Sequence, residues 1–142
     1  MRTALSRILY VDDDPTAVEW IRMDLDSSKI NSEFTSLECG RLALKLLYRD
    51  AFDLCIFDYA LPDMTGVQLC YLMRGIGYTV PIMIFTALNR RIDREKATAA
   101  GANEFLSKPD DLDAFSASVR RLLRVRRDIH TKHETIATLT TA

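Results

Sequence analysis

Four apolar runs in this chain each hand over to a side chain with chemistry. Ile8-Leu9-Tyr10-Val11 meets Asp12, Asp13 and Asp14; the run at 52–57 meets Asp58; the run from Val80 meets Thr86; and the run from Glu104 meets Lys108. Any one of these is ordinary, because a polar residue commonly opens the loop after a strand. The set is not ordinary if the runs lie side by side. Carboxylates brought to one edge cannot all stay ionised unless a cation offsets them, so either a pKa rises or a metal binds. Oxygen-only ligands suit a hard ion, and Mg2+ takes few carboxylates while keeping several waters. Such an ion, a carboxylate nucleophile, an ammonium and a hydroxyl are the parts that phosphoryl transfer uses.

Side-by-side runs are what the pattern predicts. Ile8–Val11 is continuous rather than alternating, as in a strand buried on both faces. Asp14 reads as an N-cap and Pro15 as the first residue of a helix with Val18, Ile21 and Leu25 inward. A weaker strand covers Glu33–Leu37 and a helix Gly40–Tyr48. A buried strand follows at 52–58, a helix at 65–76 and a strand at 80–87. A polar, Ala-rich helix runs over 91–100 and stops at Gly101. The fifth strand is 104–109, and the last helix begins near Asp111. Five β-α units in succession imply an α/β fold, a five-stranded parallel sheet with helices on both faces and right-handed crossovers. In such sheets ligands bind outside the carboxyl ends of the strands.

The bulk properties leave room for little else. A chain of 142 residues, 48% hydrophobic and 27% charged, has enough core for one domain without a disulfide or metal staple. Net charge of -1 gives no general pull toward nucleic acid or an anionic membrane. No apolar run nears the roughly 20 residues that span a bilayer, and the start of the chain lacks the apolar region of a secretory signal. The three cysteines, 39, 55 and 70, form no C-x-x-C pair, and Cys55 and Cys70 fall in apolar patterns as core residues. A cytoplasmic setting is expected.

With these residues in view, the chain from Arg7 to about Arg127 resembles the receiver domains of two-component response regulators. VDDDP matches the family's acidic pair; FDYALPDMTG matches its acceptor segment, with Asp58, Pro62 and Gly66 at the family spacing; FTA and KP supply the hydroxyl and the lysine. The resemblance implies a flavodoxin-like three-layer sandwich with strand order 2-1-3-4-5. It implies that Asp58 is the phosphoacceptor and that Asp12, Asp13, Asp58 and the Ala60 backbone carbonyl hold Mg2+, with Asp13 a direct ligand. Thr86, Ala87 and Lys108 would bind the phosphoryl group, and Phe105 would serve as the aromatic switch. A sensor histidine kinase would be the donor, and an output domain or downstream protein the reader. The domain would assist transfer to its own aspartate rather than act as an enzyme on others. Two positions depart from the commoner pattern: Ala60, two after the acceptor, and Leu88, two after the hydroxyl, are apolar.

Competing readings fail on particular residues. A haloacid-dehalogenase-type phosphatase needs a second carboxylate where Ala60 stands. A flavodoxin-like cofactor binder needs a first loop that welcomes phosphate, which Asp12–Asp14 would repel. No G-x-x-x-x-G-K-[ST] is present. A phosphorylation-silent, receiver-like interaction module is the alternative, although such a chain has no need of Asp13, Asp58, Thr86 and Lys108 together. The arginines of RRLLRVRR (120–127) are expected on a solvated helix face, with Val119, Leu122 and Leu123 inward and no direct nucleic-acid contact. His130 and His133 lack a third ligand for a metal. The receiver is expected over 1–127. Residues 128–142 then form a tail or the start of a linker helix, in which Ile129 and Ile136 could pair with a second copy as a homodimer.

Overall fold

A computed structural model describes residues 5–126. Its sheet has five parallel strands in the order β2-β1-β3-β4-β5: β1 Ser6–Val11, β2 Ser32–Leu37, β3 Leu54–Phe57, β4 Ile82–Thr86 and β5 Glu104–Ser107. The helices are α1 Pro15–Ser27, α2 Gly40–Arg49, α3 Gly66–Gly75 and α4 Arg91–Ala99. A short 3-10 turn, Leu112–Ala114, leads into the last helix, α5, over 115–126. The parallel α/β architecture and the 2-1-3-4-5 order agree with expectation. The proposed helical extension and pairing through Ile129 and Ile136 lie outside the described residues, as do His130 and His133.

Strand periodicity divides the core into two layers. Leu9, Val11, Cys55, Phe57, Ile82 and Ile84 face α2, α3 and α4, meeting Leu47, Leu69 and Met73. Ile8, Tyr10, Leu54, Ile56, Met83 and Phe85 face α1 and α5, meeting Ile21, Leu25, Phe115 and Val119. Cys55 and Cys70 are fully buried, as their apolar settings implied. Arg120, Arg121 and Arg124 lie on the exposed side of α5, while Leu122 and Leu123 are buried. Edge strand β2 is only half covered, which is why its pattern is the weakest in the sequence.

Local chemistry sets the helix ends. Asp14 caps α1, its carboxylate accepting from the Thr16 amide at 3.0 Å, with Pro15 following. Thr65 and Gln68 make a reciprocal capping box at the start of α3. Gly101, at φ 103°, turns the chain after α4 and lets the Ala102 amide reach back to the Ala97 carbonyl at 3.0 Å. The start of α2 is capped from a distance. The Asp63 carboxylate, in the loop after β3, accepts from the amides of Gly40 at 2.9 Å and Arg41 at 2.8 Å, and these bonds hold its carboxyl below the usual carboxylate range despite the opposing effect of desolvation.

At the opposite edge of the sheet, one guanidinium ties three segments together. Arg74 donates to the carbonyls of Tyr78 (2.8 Å), Val80 (2.7 Å) and Gly101 (2.8 Å), and to Asn103 Oδ1 (3.0 Å). Removing it leaves part-buried carbonyls without a donor, at roughly 1–3 kcal/mol for each group left unsatisfied. Arg74→Ala should therefore lower unfolding stability by about 2–4 kcal/mol. Arg74→Lys should recover less than half, because an ammonium cannot reproduce the planar fork. Urea unfolding of the three proteins checks this; a lysine variant as stable as wild type would refute the fork argument.

Candidate functional site

The strand ends carry their side chains to one edge, as the alternating β-α order requires. Asp12 follows β1 with its amide bonded to the Leu37 carbonyl at 3.0 Å, and Asp58 follows β3 with its amide bonded to the Val11 carbonyl at 2.9 Å. Carboxylate oxygens of Asp12, Asp13 and Asp58 all lie within 4.8 Å of one another. Asp12 is buried, Asp58 half-buried and Asp13 exposed. The cluster thus opens to solvent on the Asp13 side.

Gly66 explains the spacing of the acceptor segment. A Cβ there would stand 2.1 Å from the Asp58 carbonyl oxygen, so only glycine lets α3 begin against the acceptor's own backbone. The loop between them closes on itself. The Gly66 amide donates to the Tyr59 carbonyl at 2.7 Å and the Leu61 amide to the Met64 carbonyl at 3.2 Å, forming a bridge between Ala60 and Thr65. Those bonds come from the flanking residues and leave the Ala60 carbonyl outside the bridge. Ala60 itself is exposed.

Thr86, at the end of β4, is buried, and its hydroxyl hydrogen-bonds Asp58. Ala87, next to it, is exposed and too small to cover the approach, while Leu88 is exposed beyond it. Lys108 lies in the turn after β5, shortly before the expected end of that strand, and its peptide bond to Pro109 is cis. Its ammonium sits 3.1 Å from Asp12 Oδ2 and 3.2 Å from the Tyr10 hydroxyl. Lys108 is therefore bound to Asp12 and Tyr10 and not hydrogen-bonded to Asp58. Phe105 is half-buried against the α2–α4 layer with the Arg94 guanidinium 4.8 Å above its ring.

Several residues of the site escape a motif-level reading. Tyr10 is fully buried, and its hydroxyl donates to Asp12 Oδ2 at 2.6 Å. The signal was available: residues two apart on a strand share a face, and Tyr10 is the one polar-tipped residue in an aliphatic run. Burial first, and the hydrogen bond to Asp12 next, push the Tyr10 phenol far above its ordinary value, so it stays a neutral donor. Tyr59, beside the acceptor, hydrogen-bonds Asp93, a residue of α4 with no exposed surface that also takes two bonds from Arg90, at 2.9 and 3.1 Å. Arg94 donates to Asn89 Oδ1 at 2.9 Å and to Ser107 Oγ at 3.0 Å, joining the loop after β4 to β5.

The electrostatics match the crowding. Burial pushes the Asp58 carboxyl above its ordinary range and the Asp12 charge adds to it, opposed by Lys108, the Thr86 hydroxyl and the Tyr59 amide at 2.8 Å. The donor set is oxygen-only and carries more negative charge than one lysine offsets, which fits a hard divalent cation. A carboxyl whose folded pKa is raised favours the fold below its unfolded pKa, and that contribution is lost as pH rises through the folded value. In metal-free solution Asp58→Asn should therefore melt higher than wild type at neutral pH, with the gap closing as pH falls toward about 4. Thermal melts in EDTA across that range check it. A gap that widens on acidification would reverse the sign of the argument.

Residues 8–120 match the family model of the response regulator receiver domain. The chain is 33% identical over 133 residues to the heme response regulator HssR of Staphylococcus aureus (strain MRSA252), covering 93% of this chain and 58% of that protein. It is 35% identical over 118 residues to the response regulator MprA of Mycolicibacterium vanbaalenii, covering 83% and 50%. The chain thus spans about half the length of the curated relatives it matches. Among solved structures, a response regulator from Chloroflexus aurantiacus, described as putative, superposes with a TM-score of 0.77 at 29% identity, over 85% of this chain and 99% of that one. The beryllofluoride-activated receiver domain of RstA from Klebsiella pneumoniae does so with a TM-score of 0.76 at 26% identity, over 83% and 98%. A five-stranded parallel sheet in the order 2-1-3-4-5, an acidic cluster at its carboxyl edge and these matches lead to one assignment: the chain belongs to the response regulator receiver domain family.

Proposed function

We propose that Asp58 accepts a phosphoryl group from a phosphohistidine of a sensor histidine kinase, or from a small phosphodonor, and that the domain then signals to an output domain or a downstream protein. The observation that carries this reading is the meeting of three carboxylates within 4.8 Å at a strand edge that also holds a lysine and a buried hydroxyl. Asp13, Asp12, Asp58 and the Ala60 carbonyl would hold Mg2+. When bound, that ion offsets the carboxylate charge and the charge of the incoming phosphoryl oxygens.

The chain's own groups account for the rest. An Asp58 carboxylate oxygen forms the new P–O bond as the P–N bond to imidazole breaks, and the bonding pair leaves with the imidazole. The Lys108 ammonium moves from Asp12 to a phosphoryl oxygen, and the Thr86 hydroxyl turns from Asp58 to another. Movement of Thr86 and of the loop after β4 disturbs Asn89, and through it Arg94 and Phe105. That path carries the change to the face formed by α4, β5 and α5.

Incubation with acetyl phosphate or beryllofluoride, followed by mass spectrometry or Trp20 fluorescence, tests the reading. Trp20 packs 6.0 Å from Phe85 and 5.5 Å from Phe115, ring centre to ring centre, one strand layer from the site. The adduct should require Mg2+, vanish in Asp58→Asn and need more Mg2+ in Asp13→Ala. An adduct that survives Asp58→Asn, or forms equally in EDTA, removes Asp58 as the acceptor. No adduct at all would favour a receiver fold used only for interaction.

Ala60 offers no side chain to orient a water behind the phosphorus, and Leu88 stands exposed beside the approach. Phosphate release from the wild type should therefore be slower than from Ala60→Asn/Leu88→Glu, by about tenfold. A double variant that holds phosphate longer contradicts the water argument.

A further inference from the structure

The triangle of Tyr10, Asp12 and Lys108 does something the acceptor chemistry alone does not require. The phenol donates to Asp12 Oδ2 at 2.6 Å and accepts from the Lys108 ammonium at 3.2 Å, while the same ammonium donates to Asp12 Oδ2 at 3.1 Å. Tyr10 has no exposed surface, and its ring stacks on Phe34 at 6.2 Å between centroids. Neither ring nor hydroxyl is free to follow another group. The Lys108 stem also passes the Phe85 ring, with the ammonium 5.1 Å from its centroid. The other oxygen of Asp12 accepts from the Asp14 amide at 3.0 Å, so rotating the carboxylate breaks that bond as well as those from the phenol and the ammonium.

We propose that Tyr10 is a positioning residue that parks Lys108 on Asp12, setting how readily the ammonium crosses to a phosphoryl group on Asp58. The inference rests on the phosphoacceptor reading and names a residue that reading does not need. Leaving the parked position costs Lys108 the phenol oxygen as well as the carboxylate. The phenol, by contrast, keeps its own bond to Asp12 whether or not the lysine stays. The hydroxyl therefore stabilises the parked state relative to the crossed one by one charge-assisted hydrogen bond. An aliphatic or phenylalanine side chain at this position offers no such oxygen, and the lysine is then held by Asp12 alone. Removing the phenol also takes a donor from Asp12, which on its own would tighten the lysine's grip. Saturating Mg2+ meets the Asp12 charge by other means and isolates the effect on the lysine.

The test titrates beryllofluoride into the full chain in saturating Mg2+, read by Trp20 fluorescence. Tyr10→Phe keeps the stacked ring and should raise beryllofluoride affinity about three- to tenfold. Tyr10→Leu, which keeps the strand layer apolar without a hydroxyl, should repeat the shift. In a Lys108→Ala background the same tyrosine changes should have no effect, because the group being parked is gone. A readout without metal or phosphoryl mimic is the Lys108 13Cε resonance in EDTA, which should shift and narrow in Tyr10→Phe as the ammonium loses its fixed place. Unchanged or weakened beryllofluoride binding in Tyr10→Phe, or an equal shift in the Lys108→Ala background, overturns the proposal. If the wild type itself binds no beryllofluoride, the phosphoacceptor reading fails first and the parking role falls with it.

Discussion

Like charge held against its own repulsion is the constraint around which this domain is arranged. Asp12 and Asp58 leave adjacent strands β1 and β3 at the same level, so parallel pairing alone forces them together. Nothing apolar can relieve that proximity. It is offset by the Lys108 ammonium, the Tyr10 phenol, the Thr86 hydroxyl and backbone amides, each delivered from a different element. Burial first and the Asp12 charge second still hold the Asp58 carboxyl above its ordinary range, so these partners offset the cost of the charge only in part. A site left short of positive charge is a site prepared to receive it.

The rest of the architecture serves this edge. Strands β3 and β4, buried throughout, and β1, buried except at Arg7, fix the heights at which Asp12, Asp58 and Thr86 emerge. Gly66 lets α3 start against the acceptor's carbonyl, and the Ala60–Thr65 bridge closes the loop between. On the far side of the sheet Arg74 binds the carbonyls that surround the entry to β4. Rigidity is thus concentrated below and behind the site. The contacts that link the site to α4 are of another kind. Tyr59 on Asp93 and Arg94 on Asn89, Phe105 and Ser107 are polar or cation–ring contacts that can exchange partners without opening a core.

Much of this was legible in the sequence because the signals are local. Continuous apolar runs marked β1, β3 and β4; Asp14-Pro15 and Gly101 marked helix ends; and the β-α alternation implied that the runs would share an edge. The strand order came from family resemblance, since periodicity carries no information on which strand neighbours which. What the motif reading missed is contact between distant segments. The motif put Lys108 at this edge but carried no sign of the Asp12 carboxylate on which its ammonium rests. Tyr10 passed as an ordinary strand residue because hydrophobic pattern does not register a hydroxyl at the tip of a ring. Asp63 stood inside the acceptor segment with no role assigned, and Arg74 carried no motif; their roles depend on which backbone groups a loop or helix end leaves bare.

The remote cap on α2 has a mechanical consequence. Asp63 belongs to the loop that carries the acceptor, yet it satisfies the first two amides of a helix on the neighbouring strand's connection. Any displacement of that loop strips the helix of its cap, and any fraying of the helix loosens the loop. The two segments share a single lever arm. A partner that grips the opening turn of α2 therefore has a hand on the acceptor itself, although it touches no residue of the acidic cluster.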